Sequence, residues 1–182
     1  EKLVSAQQVD RIKQLKKFQL SFDEFVKLSE AAEDEGVLFL STPFDVDSAV
    51  FLNDIVSAFK VASGDNDFFP LLKTIAKTGK PIIMSTGLMN LCEVEKSVKY
   101  IYDKWFESNI KQNLALLHCV SLYPTPIEQA NLFSICALQK VVNLVGYSDH
   151  TIGINSAVLS VAVGAKIIEK HFTIDNNYSN FH

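Results

Sequence analysis

The sequence of 182 residues contains few of the residues that mark specialised architectures, with three cysteines, five prolines and seven glycines. Cys92, Cys119 and Cys136 cannot all pair with one another, and their spacing matches no CxxC zinc motif. Reduced thiols in a cytosolic protein are therefore the simplest interpretation. The sequence also lacks a run of about 18 uninterrupted apolar residues and a signal-peptide pattern, which predicts a cytoplasmic protein with no membrane partner.

Positive charge is scarce as well. The formal net charge is −4 and the pI about 5.5, whereas a broad nucleic-acid surface needs clustered Lys and Arg, so no nucleic-acid partner is expected. A pocket for an anionic metabolite is still compatible with these values, because local charge need not follow net charge. With 48% hydrophobic and 21% charged residues, the chain has the composition of a folded globular protein with one sizeable core. It begins with Glu1 rather than Met, and we expect a segment of a longer protein.

Short apolar runs recur along the chain, and helical patterns lie between them. The runs begin 22 to 33 residues apart, which is typical of repeated strand–helix units. Because the runs do not alternate apolar with polar residues, they predict a parallel sheet covered by helices. The six predicted strands are Val37–Ser41, Phe59–Ser63, Pro81–Ser85, Leu114–Cys119, Val142–Ser148 and Lys166–Phe172. The predicted helices include Phe69–Thr78, Leu91–Phe106, Asn155–Val163 and one that begins at a capping box, Ser21 to Glu24.

Two architectures are compatible with such a sheet. A doubly wound sheet normally carries a glycine-rich phosphate loop after its first strand, and the sequence has none. A (β/α)8 TIM barrel has eight strand–helix units in about 250 residues, so six units make an incomplete barrel. Every predicted strand ends in polar residues, and a barrel brings all such ends to one mouth. The sequence therefore favours an α/β TIM barrel with about six of its eight units.

Two histidines, His150 and His171, each lie where an apolar run stops. On adjacent parallel strands, about 4.8 Å apart, their side chains would converge on one ion. Imidazole pairs suit Mn²⁺, Fe²⁺, Co²⁺ or Zn²⁺ and leave positions for water or a substrate oxygen. The alternative is that each is an ordinary hydrogen-bonded histidine near a strand end. Asp149 and Glu169 are candidates for orienting the imidazoles, although neighbouring residues on a strand usually face opposite ways.

Lys60 lies in the middle of an apolar run, where a lysine is rarely buried without an anionic partner. Its side chain either snorkels to solvent, forms a structural ion pair, or provides a cation at the barrel mouth for a phosphate or carboxylate. Hydroxyl donors for such an anion stand at several strand ends, namely Ser63, Ser85, Thr86 and Ser148.

Three further residues each have a functional and a structural interpretation. Asp65 is a candidate for acid–base chemistry, but the surrounding SGDND sequence also has the composition of a turn. Tyr123 lies in a loop with two prolines, which either preorganise the loop for a ligand or simply terminate an element. His118 lies inside an apolar run and is predicted to be a hydrogen-bonded histidine of the core or pocket wall.

Taken in order, the motifs resemble those of the sialic acid synthase family, which includes N-acetylneuraminate, legionaminate and pseudaminate synthases. The matching stretches are GVLFLSTPFD, FKVASGD, GKPIIMSTGL, LLHCVSLYPTP, GYSDHTIG and EKHFTID. They cover most of Gly36 to Asp175, and the opening EKLVSAQ resembles the stretch that follows the family's second barrel strand. This ordered set is far more specific than any single motif.

The resemblance implies a TIM barrel that condenses phosphoenolpyruvate with an N-acetylated amino sugar, such as N-acetylmannosamine, to give a nonulosonic acid and phosphate. It implies a divalent metal, usually Mn²⁺ or Mg²⁺, held by His150 and His171, which polarises the sugar aldehyde for attack by C3 of phosphoenolpyruvate. It also implies catalytic roles for Lys60 and Asp65. The implied substrate-binding residues are Lys60, Ser63, Ser85, Ser121, Tyr123 and Ser148.

The sequence departs from the family at several positions. Many members have Glu in place of Asp65, some have Asn in place of Ser121, and the tail NNYSNFH differs from the usual glycine- and proline-containing continuation. Residues 1–182 are expected to form a single partial barrel domain without the family's first two strands or its C-terminal antifreeze-like domain. Such a segment has two unpaired sheet edges and is not expected to be active alone, whereas the full-length protein is expected to be a homodimer. The alternatives are a barrel of the 3-deoxy-sugar-acid phosphate synthase type and a non-catalytic barrel remnant.

Overall fold

The computed structural model describes Lys13 and residues 16–175 of the chain. Within the chain, residues 1–39 and residues 40–182 form two compact units. The opening stretch EKLVSAQ and the tail NNYSNFH, on which part of the resemblance was judged, lie outside the described residues. The single partial domain expected over residues 1–182 stays a prediction.

In the first unit, the helix that begins at Phe22 has a complete N-terminal cap. Helix α1 spans Phe22–Asp34, and the Ser21 hydroxyl accepts the Glu24 N–H while the Glu24 carboxylate accepts the Ser21 N–H. This reciprocal pair satisfies two of the donors that a helix start leaves open. Gly36 follows the helix with φ +71°, a left-handed conformation that costs glycine little. The predicted capping box is confirmed.

The second unit is a parallel sheet with helices between successive strands. Its strands are β1 Phe59–Val61, β2 Ile82–Ser85, β3 Leu114–Cys119, β4 Leu144–Asp149 and β5 Ile167–Lys170. Its α-helices are α2 Val46–Leu52, α3 Phe69–Lys77, α4 Leu91–Glu107, α5 Ser134–Leu138 and α6 Asn155–Val163, with a 3-10 turn at Ile127–Gln129. The predicted helices at Phe69, Leu91 and Asn155 are confirmed to within one residue at each end.

The sheet has the strand order β1-β2-β3-β4-β5, and every neighbouring pair is parallel. All six residues of β3 are buried, as expected for a central strand with both faces covered. Because the strands are parallel, their carboxyl ends lie along one edge of the sheet. Polar residues that end different strands therefore lie close together.

The first predicted strand, Val37–Ser41, is a correction to the sequence analysis. The described residues form five strands, and this run contributes only a single parallel bridge between Ser41 and Phe59. Its side chains are not covered, since Val37 is 61% exposed and Leu38 75% exposed. An apolar run predicts a strand only where a second layer buries it. The fold is a parallel α/β half-barrel of five strands, and the count of eight units stays a prediction.

In the part of the chain that the structure describes, no helix combines the length and the apolar character needed to cross a membrane. The three cysteines are free thiols, as predicted.

Candidate functional site

The two histidines lie next to one another at the carboxyl ends of β4 and β5. The last registered pair of these strands is Asp149 with Lys170, and His150 and His171 are the next residue on each strand. Their ring centroids are 5.3 Å apart. The predicted placement on adjacent parallel strands is therefore confirmed, while their role as metal ligands stays a prediction.

His150 is fixed by contacts on one side of its ring. Its Nδ1 lies 3.2 Å from the carbonyl oxygen of Val120 and 3.8 Å from Sγ of Cys119. The hydrogen bond with the Cys119 thiol raises the pKa of the imidazole, although burial opposes the change. With Nδ1 occupied in this way, Nε2 is the nitrogen left for a ligand.

The two imidazoles line a cavity of about 350 Å³. Tyr123 closes one side of the cavity, with its ring centroid 4.3 Å from that of His150 and 6.1 Å from that of His171. The Tyr123–Pro124 peptide bond is cis. The predicted pocket role of Tyr123 thus has a geometric basis, because its ring forms one wall beside the histidine pair.

The sequence made Asp149 a candidate for orienting an imidazole, but both of its carboxylate oxygens bind other groups. One carboxylate oxygen accepts a hydrogen bond from Lys170 Nζ at 2.8 Å, and the other accepts the N–H of Thr151 at 2.8 Å. Burial alone would raise the pKa of Asp149, but the ion pair with Lys170 and the Thr151 N–H outweigh it and lower this pKa. The carboxylate therefore remains charged and holds the strand ends.

Lys60 lies on the edge strand β1, and its Nζ donates to Ser85 Oγ at the end of β2 at 2.8 Å. Glu169 Oε2 lies 3.4 Å away, and the side chains of Lys60 and Glu169 are 12% and 43% exposed. These residues line a second cavity of about 360 Å³. Of the interpretations left open by the sequence, the snorkelling side chain is excluded by this burial, and Lys60 forms both an ion pair and a wall of a cavity.

A cluster of hydroxyl groups surrounds Gly87 in the turn after β2. The Gly87 N–H donates to Ser63 Oγ at 3.1 Å. A Cβ on Gly87 would lie 2.5 Å from Ser121 Oγ and 2.7 Å from Ser63 Oγ, so only glycine lets the two hydroxyls approach. Ser121 Oγ is buried and has no hydrogen-bond partner within the described part of the chain. An unsatisfied buried hydroxyl of this kind is suited to a ligand oxygen.

Ser148 and Cys119 continue this cluster towards the histidines. They are opposite one another in the β3–β4 register, and both are buried. Burial raises the pKa of the Cys119 thiol, but hydrogen bonds with His150 and Ser63, chiefly, outweigh it and bring this pKa below its ordinary value. The serines, the thiol and the histidine pair therefore form one continuous polar edge.

Asp65 lies in the turn that follows β1. Its N–H donates to Ala62 O and its carbonyl accepts the Phe68 N–H, as the turn composition of this stretch predicts. Burial, together with the nearby Asp67 carboxylate, raises the pKa of the Asp65 carboxyl group. A carboxyl group with a raised pKa is suited to acid–base chemistry, and the predicted catalytic role of Asp65 stays a prediction.

Two residues that the sequence analysis did not single out also build the site. Asn66 is 3% exposed, and its side-chain amide donates to the carbonyl oxygens of Ser85 and Gly87 at 3.2 and 3.0 Å. Lys170 pairs with Asp149 at the end of β5. His118, by contrast, is confirmed as a pocket-wall histidine, because it is buried with Nε2 2.8 Å from Ala130 O.

The donor set fits an open cation site. Two imidazoles share a cavity, and one has its Nδ1 against a backbone carbonyl, which is how proteins commonly orient metal-binding histidines. Among Lys13 and residues 16–175 there is no group of three or more His, Cys, Asp or Glu that could hold a metal. A cation at this place would thus have two protein ligands, and water or substrate oxygens would complete its coordination.

The protein is a parallel half-barrel with polar groups at the carboxyl ends of its strands. In this arrangement it is similar to the TIM-barrel enzymes. A model described as the NeuB family matches residues 2–181, and the chain belongs to that family. The predicted resemblance to sialic acid synthases is thereby confirmed.

Individual relatives agree with this assignment. The chain is 50% identical over 164 residues to an uncharacterised protein of Methanocaldococcus jannaschii, covering 89% of this chain and 47% of that protein. It is 40% identical over 177 residues to N,N'-diacetyllegionaminic acid synthase of Campylobacter jejuni, covering 96% and 52% of the two chains. The chain spans about half the length of the curated relatives it matches.

A solved structure shows the same fold. The crystal structure of N-acetylneuraminic acid (sialic acid) synthetase from Leptospira borgpetersenii, in complex with citrate, superimposes with a TM-score of 0.85 at 36% identity. The match covers 93% of this chain and 58% of that one. The half-barrel therefore corresponds to part of a synthase barrel.

Proposed function

We propose that the full-length protein condenses phosphoenolpyruvate with an N-acetylated amino sugar to give a nonulosonic acid and inorganic phosphate. The observation that supports this proposal is the continuous polar edge formed by the serines, the thiol and the histidine pair. The partly buried Lys60, which donates to Ser85, lies at the same end of the sheet. The relatives named as nonulosonic acid synthases support the same reaction class. In this reaction C3 of phosphoenolpyruvate bonds to the sugar's aldehyde carbon, water adds at C2, and the bond between C2 and the phosphate oxygen breaks.

Lys60 and the hydroxyl cluster are the proposed site for phosphoenolpyruvate. The Lys60 ammonium provides the cation, and Ser85 holds it in place at 2.8 Å. Ser121 Oγ, buried and without a partner in the described residues, provides a donor for a substrate oxygen. Ser63 and Ser148 extend the same donor surface, because each forms a hydrogen bond with the Cys119 thiol that lies between them. A carboxylate or phosphate would form charge-assisted hydrogen bonds with the Lys60 ammonium and accept further hydrogen bonds from the serine hydroxyls.

His150 and His171 are the proposed ligands of a divalent cation, Mn²⁺ or Mg²⁺, which when bound supplies Lewis acidity to a carbonyl oxygen. Tyr123 packs against both rings and excludes water from one side of the cavity. Burial and the Asp67 carboxylate raise the pKa of the Asp65 carboxyl group, and Asp65 is the proposed acid–base residue for a substrate oxygen. The proposed assembly is a homodimer.

The direct test is phosphate release from phosphoenolpyruvate by the full-length protein, measured with a panel of N-acetylated hexosamines in the presence and absence of EDTA. We expect one sugar to give phosphate release that EDTA abolishes. Lys60→Met should raise the KM for phosphoenolpyruvate, whereas Lys166→Met, which removes an exposed lysine just before β5, should not. If no sugar in the panel elicits phosphate release, the proposed function is wrong.

A further inference from the structure

Three hydrogen bonds involve the residues on either side of His150 and leave its ring free of contact with them. Lys170 Nζ donates to Asp149 Oδ2 at 2.8 Å and to the carbonyl oxygen of Thr151 at 2.9 Å. The second oxygen of Asp149 accepts the Thr151 N–H at 2.8 Å. The ammonium group therefore contacts the residue before His150 and the residue after it, and fixes the backbone on both sides of the imidazole.

The sheet register couples the same contacts to the second histidine. Asp149 and Lys170 are the last partners in the β4–β5 ladder, so His150 and His171 leave the sheet immediately beyond the pair. Beyond this point no ladder hydrogen bond sets the distance between the two strands. The backbone of His150 is also held by the Thr125 N–H at 2.9 Å, but among these contacts the Asp149–Lys170 pair directly joins the ends of β4 and β5.

The Asp149–Lys170 pair is buried on its carboxylate side and partly buried on its ammonium side. The Asp149 side chain is 0% exposed and the Lys170 side chain 23% exposed, and both line the cavity of the histidines. An ion pair of this depth gains geometric definition from its additional hydrogen bonds, and removal of one partner leaves the other charge uncompensated.

We propose that Asp149 and Lys170 are positioning residues for the histidine pair, because they set the spacing of the two imidazoles and thereby the affinity of the site for a divalent cation. The inference rests on the proposed function, since it takes the histidine pair as the cation site. Neither residue is placed in contact with the substrate or the cation. Loss of groups that orient metal ligands typically lowers metal affinity by about 10- to 100-fold.

The test measures Mn²⁺ binding to the metal-free full-length protein by electron paramagnetic resonance of the free ion, with no substrate present. Lys170→Met, which keeps an unbranched side chain one atom shorter and removes its charge and donors, should weaken Mn²⁺ binding by at least about tenfold. Lys170→Arg keeps a cation and should retain much of the affinity. Lys166→Met, which removes an exposed lysine just before the same strand, is the matched control and should bind as the wild type does.

Asp149→Asn tests the same contact from its other side. The asparagine oxygen still accepts the Thr151 N–H, whereas its amide cannot accept from Lys170, so Mn²⁺ binding should weaken although the side chain keeps its size. This variant and Lys170→Arg carry the test if Lys170→Met fails to fold. Circular dichroism and the Tm, measured on each variant, separate loss of folded protein from loss of affinity.

The outcomes distinguish the two proposals. If the wild type does not bind Mn²⁺, or if His150→Ala and His171→Ala leave binding unchanged, the cation site of the proposed function is wrong. If the wild type binds through both histidines but folded Lys170→Met and Asp149→Asn bind within twofold of it, the pair is merely structural and the positioning inference is overturned. Weakened binding at an unchanged Tm would support the inference directly.

Discussion

At the scale of single residues, Asn66 shows how a side chain without chemistry of its own supports a site. Its buried amide donates to the carbonyl oxygens of Ser85 and Gly87, and these two residues position Lys60 and Ser63. Asn66→Asp removes both donors and places a carboxylate against two carbonyls. We expect a loss of about 1–3 kcal/mol in the free energy of unfolding and a raised KM for phosphoenolpyruvate.

Urea unfolding and steady-state kinetics of the full-length protein measure the two effects. Lys73→Met is the control, because Lys73 is an exposed residue of the nearby helix α3 and should tolerate the exchange. An Asn66→Asp protein with the stability and KM of the wild type would show that the two hydrogen bonds contribute nothing.

His118 predicts a pH dependence of stability. Burial lowers the pKa of this imidazole below its usual 6.5, although the hydrogen bond to Ala130 O opposes the change. The unfolded chain therefore binds more protons than the folded protein below pH 6.5, and this contribution to stability is present above that pH and is lost as the pH falls. Over the range from pH 6.5 to 5, one such group contributes at most about 2 kcal/mol.

The comparison variant for this prediction is His118→Gln, whose amide N–H has a similar reach but does not titrate. Urea unfolding at about pH 7.5 and at about pH 5 should show a smaller loss of stability in the variant than in the wild type. Equal losses in the two proteins would mean that His118 does not titrate differently in the folded and unfolded states.

The sequence patterns predicted the site residues that lie at or near strand ends. They did not predict Asn66, whose side chain forms hydrogen bonds with backbone carbonyls. Lys60 and the two histidines are conspicuous, because charged or imidazole groups interrupt apolar runs. Asn66 lies in a stretch whose composition is simply that of a turn, and its two carbonyl partners are 19 and 21 residues away in the chain. Only the folded backbone reveals such a contact.

At the scale of elements, the spacing of β4 and β5 depends on a glycine. An ideal Cβ on Gly146 would lie 2.3 Å from the carbonyl oxygen of Ile167 and 2.6 Å from Cδ2 of Leu117. Gly146→Ala therefore forces the two strands apart and should lower the free energy of unfolding by about 1–3 kcal/mol, as overpacking does in other cores. It should also weaken Mn²⁺ binding, since these strands carry the histidine pair.

Gly64→Ala is the matched control for this prediction, because its added Cβ would meet no atom within 4 Å. Urea unfolding compares the two alanine variants in the full-length protein. Equal stability of both would show that β4 and β5 adjust to the extra methyl group at no cost.

Element prediction succeeded where burial and apolar pattern coincide. The predicted bounds of β3 agree with the structure, and all six of its residues are buried. The run Val37–Ser41 has the same composition but exposed side chains, and it forms one bridge instead of a strand. Composition alone does not tell whether a second layer covers a run, which depends on contacts distant in sequence.

At the scale of the whole molecule, the charge of the site differs from that of the chain. The formal net charge is −4, yet two partly buried lysines, Lys60 and Lys170, line the cavities at the carboxyl edge of the sheet. Each lysine has a carboxylate partner, Glu169 for Lys60 and Asp149 for Lys170, so both signs of charge line these cavities. The absence of a nucleic-acid partner stays a prediction from the net charge, whereas the fold places both lysines at cavities along one edge of the sheet.

The proposed binding of a cation by the histidine pair predicts a change in the stability of the full-length protein. A ligand that binds only the folded state adds RT ln(1 + [L]/Kd) to the free energy of unfolding, which is about 2.7 kcal/mol at a concentration of 100 Kd. Mn²⁺ should therefore raise the Tm of the metal-free wild type in proportion to its concentration on a logarithmic scale. His150→Ala and His171→Ala should each abolish this shift, because one imidazole alone leaves a weak site, whereas Gly64→Ala should keep it. A wild-type Tm that does not respond to Mn²⁺, or histidine variants that respond as the wild type does, would contradict the proposed cation site. The proposed phosphoenolpyruvate site at Lys60 and the hydroxyl cluster would not be affected by that result.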